Sequence, residues 1–211
     1  KRNGIPQLIR ALSEGATSKM HCIVTTILQC DCMPDTDKVK LLSPNFGYNC
    51  TALNRCAIKG KADTLAIFTK TILHSSLSID HKVSLLSSTV LKPNEKSPAY
   101  HALLNGQTHT LAQFMSSIIE TKKLPTQQKM LLLTEKLDIK SGLTGALILS
   151  HAETIKTCLH LIVNTDTLTT EQKSRVIASY HQQSLSHHDI EYIINQELSI
   201  EDRIDKLYKT F

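Results

Sequence analysis

The sequence has few of the residues on which several functional classes depend. It contains no Trp, and aromatic residues make up only 4% of its 211 residues. The chain therefore has few of the aromatic side chains on which the bases of single-stranded nucleic acids stack. Its 7 glycines form no Gly-x-Gly or Gly-Lys-Ser/Thr motif, which leaves out the usual phosphate-binding loops. The net charge is only +5, and the dispersed lysines favour solvated faces over a nucleic-acid stripe. We therefore expect no nucleic-acid or nucleotide ligand.

Long apolar runs are also missing. No stretch reaches the roughly 18–20 apolar residues of a membrane-spanning helix, and no apolar segment follows Lys1-Arg2 as a secretory signal peptide would require. The 41% of hydrophobic and 20% of charged residues are typical of a globular protein. Because the chain starts at Lys1 rather than at Met, we expect further sequence upstream.

Cysteine is too sparse for a disulfide-dense secreted domain, with 6 residues in the chain. Cys30-Asp31-Cys32 lies near His21 and Cys22 and suggests a zinc site, but structural zinc sites use Cys-x2-4-Cys pairs and no second pair stands at a matching interval. We therefore predict reduced thiols, no metal and no cofactor.

The most informative feature is an internal repeat. Four similar ten-residue segments end at Gly15, Gly60, Gly106 and Ser150, which are 45, 46 and 44 residues apart. Each is followed by residues at i, i+3, i+4, i+7 and i+8 that form one face of a helix and are apolar except for Thr69. These aligned sets are Met20, Ile23, Val24, Ile27, Leu28; Leu65, Phe68, Thr69, Ile72, Leu73; Leu111, Phe114, Met115, Ile118, Ile119; and Ile155, Cys158, Leu159, Ile162, Val163.

The ten-residue segment is the first helix of each unit, and the apolar series marks the second. A third, amphipathic helix follows, which is marked by Lys and then an apolar pair. The lysines are Lys38, Lys82, Lys129 and Lys173. We therefore predict an all-α solenoid with four units of about 45 residues and three helices each, at about residues 5–43, 50–89, 97–136 and 141–179. A C-terminal capping helix pair at 184–211 completes a single domain over residues 1–211, because stacked repeats need a polar end.

The repeat segment Thr51-Ala-Leu-x-x-Cys-Ala-x-x-Gly60 resembles the Thr-Pro-Leu-x-x-Ala-x-x-x-Gly-His core of ankyrin repeats. Because an ordinary ankyrin repeat has roughly 33 residues, the third helix accounts for the extra length. The whole unit, with Leu124-Pro-Thr-Gln-Gln-Lys-Met-Leu-Leu-Leu133 as its best match, resembles the C-terminal repeats of enteric bacterial type III secretion effectors of the EspL/OspD enterotoxin-like family.

This resemblance implies a non-enzymatic, protein-binding part of a virulence effector that is secreted through a type III system into the host cytoplasm. Family members can carry a cysteine-protease domain upstream, but none of its catalytic residues is matched in this chain, and we predict no catalytic residues here. The alternative is a regulator that stays in the bacterium and binds a secretion chaperone or a transcription activator. An enzyme built on the repeats would instead require an iodoacetamide-sensitive activity in the isolated chain.

The candidate binding residues occupy the variable positions of the repeat segments and one preceding turn. In ankyrin-type stacks these positions of the first helix face a concave groove, and Arg, Tyr and amide side chains are suited to interface centres. A merely solvated face is the competing interpretation. The predicted protein-binding residues are Phe46, Tyr48, Asn54, Arg55, Lys59, Tyr100, His101 and Asn105.

Overall fold

The computed structural model describes residues 4–44, 50–88, 96–180 and 186–211, without the side chains of residues 4, 5 and 187. Within these ranges the protein is all-α, with 14 α-helices, a π-helical segment at Leu132–Lys136 that continues α9, and no β-strand. None of the helices in the described ranges has the length and apolar character needed to cross a membrane.

The helices follow the predicted order of three per unit and then two at the C-terminal end. The first helices are α1 (Gly4–Glu14), α4 (Ala52–Ile58), α7 (Pro98–Leu104) and α10 (Ile139–Ile148); the second are α2 (Thr17–Leu28), α5 (Ala62–His74), α8 (Thr108–Ile119) and α11 (Ala152–Val163); the third are α3 (Asp35–Leu42), α6 (Ile79–Leu86), α9 (Thr126–Leu131) and α12 (Thr170–Tyr180); the last two are α13 (His187–Asn195) and α14 (Ile200–Tyr208).

Like helices of successive units lie side by side in two rows. In the first row, α1 contacts α4, α4 contacts α7 and α7 contacts α10; in the second row, α2, α5, α8 and α11 contact one another in the same order. At the C-terminal end α14 contacts α11 and so extends the second row, whereas α13 packs mainly against α12. One cluster of buried apolar residues runs through both rows, from Leu8 to Leu207.

The predicted apolar faces of the second helices form the centre of this cluster. All five aligned residues of α5, α8 and α11 are buried. In α2 only Met20 and Val24 are buried, while Ile23, Ile27 and Leu28 are partly exposed. The difference arises because α2 is the first described helix of its row and contacts a second-row neighbour on one side only.

A left-handed residue ends each first helix and turns the chain into the second. The backbone φ angles are +77° at Gly15, +66° at Gly60, +63° at Gly106 and +60° at Ser150. Glycine adopts this conformation without the steric cost that a Cβ atom brings. The turn at Ser150 therefore has the same geometry as the other three, although serine replaces glycine there.

Replacing Ser150 by Gly should raise the free energy of unfolding by about 0.5–1 kcal/mol, because the strain of a non-glycine residue at positive φ is removed. Chemical denaturation monitored by circular dichroism measures the change. Gly106→Ser is the matched control and should destabilise, since a Cβ atom there would lie 2.8 Å from Nδ1 of His151. A less stable Ser150→Gly variant would contradict the strain assigned to this turn.

In the third and fourth units the recurring lysine of the third helix caps the preceding second helix. Nζ of Lys129 donates to the carbonyl of Ile119 at 2.6 Å, and Nζ of Lys173 donates to the carbonyl of Val163 at 2.8 Å. Both carbonyls belong to the last residues of their helices, where free acceptors and the negative end of the helix dipole favour a cation. The ammonium therefore stabilises the helix end in these two units.

These repeated lysines do not lie on a solvated face, as their dispersion in the sequence suggested. Lys38, Lys82 and Lys129 are buried, and Lys173 is half-buried. Burial lowers the pKa of Lys129 from its ordinary value, because removal from water disfavours the charged form. The hydrogen bond to the helix end offsets that cost.

Candidate protein-interaction surface

The accessible side of the first row is formed by two positions of the repeat segment that are four residues apart. Residues at i and i+4 lie on the same side of a helix, and none of the eight residues at these positions is buried. We call this surface the first-row face. Its pairs along the row are Arg10 and Glu14, Arg55 and Lys59, His101 and Asn105, and Gly145 and Leu149.

The first-row face changes character from unit to unit. Arg10 and Glu14 form an exposed ion pair at 2.8 Å, so their charges largely cancel. Arg55 and Lys59 place two positive charges side by side in the second unit. The face thus begins with an ion pair, and its second unit carries two cationic side chains.

Five of the predicted binding residues lie on this face or beside it. Lys59 and Asn105 are exposed, and Arg55, Tyr100 and His101 are half-buried. The Tyr100 and His101 rings contact each other edge to face, with centroids 5.2 Å apart and an interplanar angle of 85°. A half-buried side chain keeps a fixed position and still offers surface, which suits an interface anchor.

The prediction that Asn54 is a protein-binding residue is wrong, because Asn54 is fully buried. Its Nδ2 donates to the carbonyl of Lys96 at 2.8 Å, and its Oδ1 accepts from Oγ of Ser88 at 3.0 Å. Both bonds join segments more than 30 residues apart in the chain. Asn54 therefore holds two units together and cannot contact a partner.

The other two predicted residues, Phe46 and Tyr48, lie outside the described residues.

Lys96 organises the third unit, although the sequence pattern did not select it. It forms an ion pair with Asp138 at the start of α10, and its Nζ lies 5.0 Å from the centroid of the Tyr100 ring. Such a cation over an aromatic face is favourable. Lys96 thereby fixes the Tyr100 ring between α7 and α10.

His101 contributes a neutral ring at neutral pH. Its burial, and secondly the positive charge of Lys96, lower the pKa of His101 below its ordinary value. Both effects disfavour the imidazolium form. The third unit therefore presents aromatic and amide groups where the second presents two cations.

The fourth unit ends the face with apolar surface, which the sequence analysis missed. Leu149 is 52% exposed and its neighbour Ile148 is 78% exposed. Leu104 of the third unit lies over Gly145, where a Cβ atom would be 2.5 Å from Cδ1 of Leu104. The signal was available, because Leu149 occupies the repeat position of Lys59 and Asn105. Exposed large apolar residues next to one another are typical of interaction sites.

The described residues offer little reactive chemistry on this surface. No group of three or more His, Cys, Asp and Glu side chains within the described ranges is arranged to hold a metal ion. His21 and the exposed Cys22 lie instead in a groove between α2 and α5, where Nδ1 of His21 is 3.1 Å from Oγ1 of Thr71.

In comparisons with known proteins, the chain matches no protein-family model, no curated protein and no solved structure.

Proposed function

We propose that the chain is a protein-docking module, an ankyrin-like solenoid of four units whose first-row face binds a partner protein. The observation that carries this proposal is the graded composition of the face across α4, α7 and α10. Along the first-row face, the two cations of the second unit are followed by the aromatic cluster of the third unit and by the exposed apolar residues of the fourth. Arg and aromatic anchors with apolar surface are the groups that supply most of the binding energy at protein interfaces.

We extend the proposal to the biological setting that the family resemblance implies. The chain is then the docking part of a type III secretion effector that acts on a host protein. The support is the ankyrin-like segment and the Leu124 to Leu133 match in the sequence, together with the all-α arrangement in two rows.

The proposed partner offers an extended segment with an acidic residue and an apolar residue. The acidic residue pairs with Arg55 and Lys59, and the apolar residue packs on Ile148 and Leu149. Neighbouring packed helices are about 8–10 Å apart, so the distance from α4 to α10 is about 20 Å. An extended chain advances about 3.3 Å per residue, which places the two anchors about six residues apart.

The test is selection of short peptides from a random library against the intact chain, followed by calorimetric titration of parent and variants. Replacing Arg55 and Tyr100 together by Ala should weaken binding about 30-fold, which is about 2 kcal/mol. Both residues are half-buried and neither belongs to the buried core. Native helicity of the variant is checked by circular dichroism.

The matched control is the double variant Lys70→Ala and His74→Ala, which changes two exposed residues of α5 in the second row. It should bind the selected peptides as the parent does. If the Arg55 and Tyr100 variant also binds them as the parent does while retaining native helicity, the first-row face is not the binding site. Selected peptides without an acidic residue would overturn the proposed partner chemistry.

A further inference from the structure

Two exposed thiols are held in contact at the turn between α2 and α3. Sγ of Cys30 lies 2.9 Å from Sγ of Cys32. Two carbon atoms in van der Waals contact are about 3.5–4.0 Å apart, and sulfur is larger than carbon, so the two sulfur atoms are unusually close. Cys30 is half-buried and Cys32 is exposed. Both sulfur atoms are thus close to bonding distance, at a place that a small molecule can reach.

The backbone produces this contact by a tight turn. The amide of Met33 donates to the carbonyl of Cys30 at 3.3 Å, so Cys30, Asp31, Cys32 and Met33 form a β-turn. The turn folds the chain back and brings the first and third of its residues together. Pro34 then begins the approach to α3, as its N-cap.

We propose that Cys30 and Cys32 are a redox-active dithiol that closes reversibly to an intramolecular disulfide in exchange with a low-molecular-weight disulfide such as glutathione disulfide. A disulfide bond is about 2.05 Å long, so the sulfur atoms need to approach by less than 1 Å. This site is separate from the first-row face and does not depend on the proposed docking function.

The exchange proceeds in two balanced steps. In the first, one cysteine thiolate attacks a sulfur of glutathione disulfide, forms a mixed disulfide and releases one glutathione thiolate. In the second, the other cysteine gives up its proton, its sulfur attacks the cysteine sulfur of the mixed disulfide, and the second glutathione thiolate leaves. The two protons of the cysteines end on the two glutathiones. Two electrons pass from the protein to glutathione disulfide, and reduced glutathione reverses both steps.

The two thiols have different surroundings, because Cys30 is half-buried and Cys32 is exposed. The hydrogen bond to Cys30, and then the negative charge of Cys30, raise the pKa of Cys32 from its ordinary value. Because the thiolate is the nucleophile, the sulfur that ionises first makes the first attack and the other completes the disulfide.

The Cys30–Cys32 disulfide should be reversible because it is exposed and because it closes a small ring. Exposed or strained disulfides are the ones that thiols reduce readily, and a bridge between residues two apart closes a very short ring. The buried thiols differ, since Cys56 and Cys158 are fully buried and desolvation raises the pKa of each to about 12. They are poorly placed for exchange.

The experiment incubates the native chain with mixtures of reduced and oxidised glutathione, quenches with acid, alkylates and maps peptides by mass spectrometry. The peptide with Cys30 and Cys32 should lose two hydrogens as the oxidised fraction rises, and should regain them when reduced glutathione is restored. Accumulation of glutathione adducts on this peptide in the parent chain, or full alkylation of both thiols at every ratio, would overturn the proposal.

Two serine variants identify the role of each sulfur. Cys32→Ser should stop at a stable glutathione adduct on Cys30, because the second attack is lost. Cys30→Ser should likewise stop at a glutathione adduct, here on Cys32. Cys22→Ser, which removes another exposed thiol on α2, should leave the oxidation of the pair unchanged. A single serine variant that does not stop at an adduct would overturn the assignment of the bond to this pair, and oxidation that stops in Cys22→Ser would place the bond elsewhere.

Discussion

Phe114→Ala should lower the free energy of unfolding by about 3–5 kcal/mol, because the ring is removed from a position with no exposed surface and leaves a cavity. Phe114 belongs to α8, which contacts α5 on one side and α11 on the other. In a stack each unit is stabilised only by its neighbours, so a cavity in this helix weakens two interfaces. Guanidinium denaturation followed by circular dichroism measures the loss.

His109→Ala is the matched control, since His109 is an exposed residue of the same helix. Its change should stay within about 0.5 kcal/mol of the parent, as is usual for surface substitutions. A Phe114→Ala variant that unfolds at the denaturant midpoint of the parent would show that the second-row core contributes little to stability.

The second large effect is expected at alkaline pH and arises from the buried thiols. Burial raises the pKa of Cys56 and of Cys158 from 9.0 to about 12. A thiol whose pKa is higher in the folded than in the unfolded state contributes fully to the stability of the fold below its unfolded pKa. This contribution is lost as the pH rises through the folded pKa. The loss therefore falls between pH 9 and pH 12, at about 4 kcal/mol for each thiol.

Cys56→Ala should reduce this alkaline loss while leaving the fold intact. The equivalent positions in the other units are Ala11, Ala102 and Ala146, all buried, so the site accepts Ala at a cost of about 1 kcal/mol near neutral pH. The variant should take up one proton fewer on refolding at high pH, and its free energy of unfolding should fall less steeply with pH.

Denaturant titrations at pH values from neutral to strongly alkaline measure this slope. The opposite change at the same repeat position, Ala102→Cys, should make the fall steeper because it adds a buried thiol. If the Cys56→Ala variant loses stability with pH as steeply as the parent does, the Cys56 thiol does not set the alkaline limit.

The candidate site was only partly predictable from the repeat. The repeat position shared by Lys59 and Asn105 identified exposed residues, because this position recurs on one side of a helix. The same reasoning failed for Asn54, since its burial depends on Lys96 and Ser88 in other segments. It also left out Leu149, although this residue occupies the same repeat position.

The thiol pair shows a different limit. Cys30-Asp31-Cys32 was visible as a motif and was considered only as a zinc site. Its chemistry depends on the direction of two side chains, which the turn closed by the Met33 amide decides.

The sequence by itself determined the all-α class, the number and order of the helices in each unit, their apolar faces and the turns at Gly15, Gly60 and Gly106. These follow from the helical period and from backbone sterics, which act over a few residues. Only the tertiary structure decided that Asn54 is a scaffold residue, that Lys96 pairs with Asp138, and that α14 rather than α13 joins the second row. Those outcomes depend on contacts between segments far apart in the chain, which no local pattern encodes.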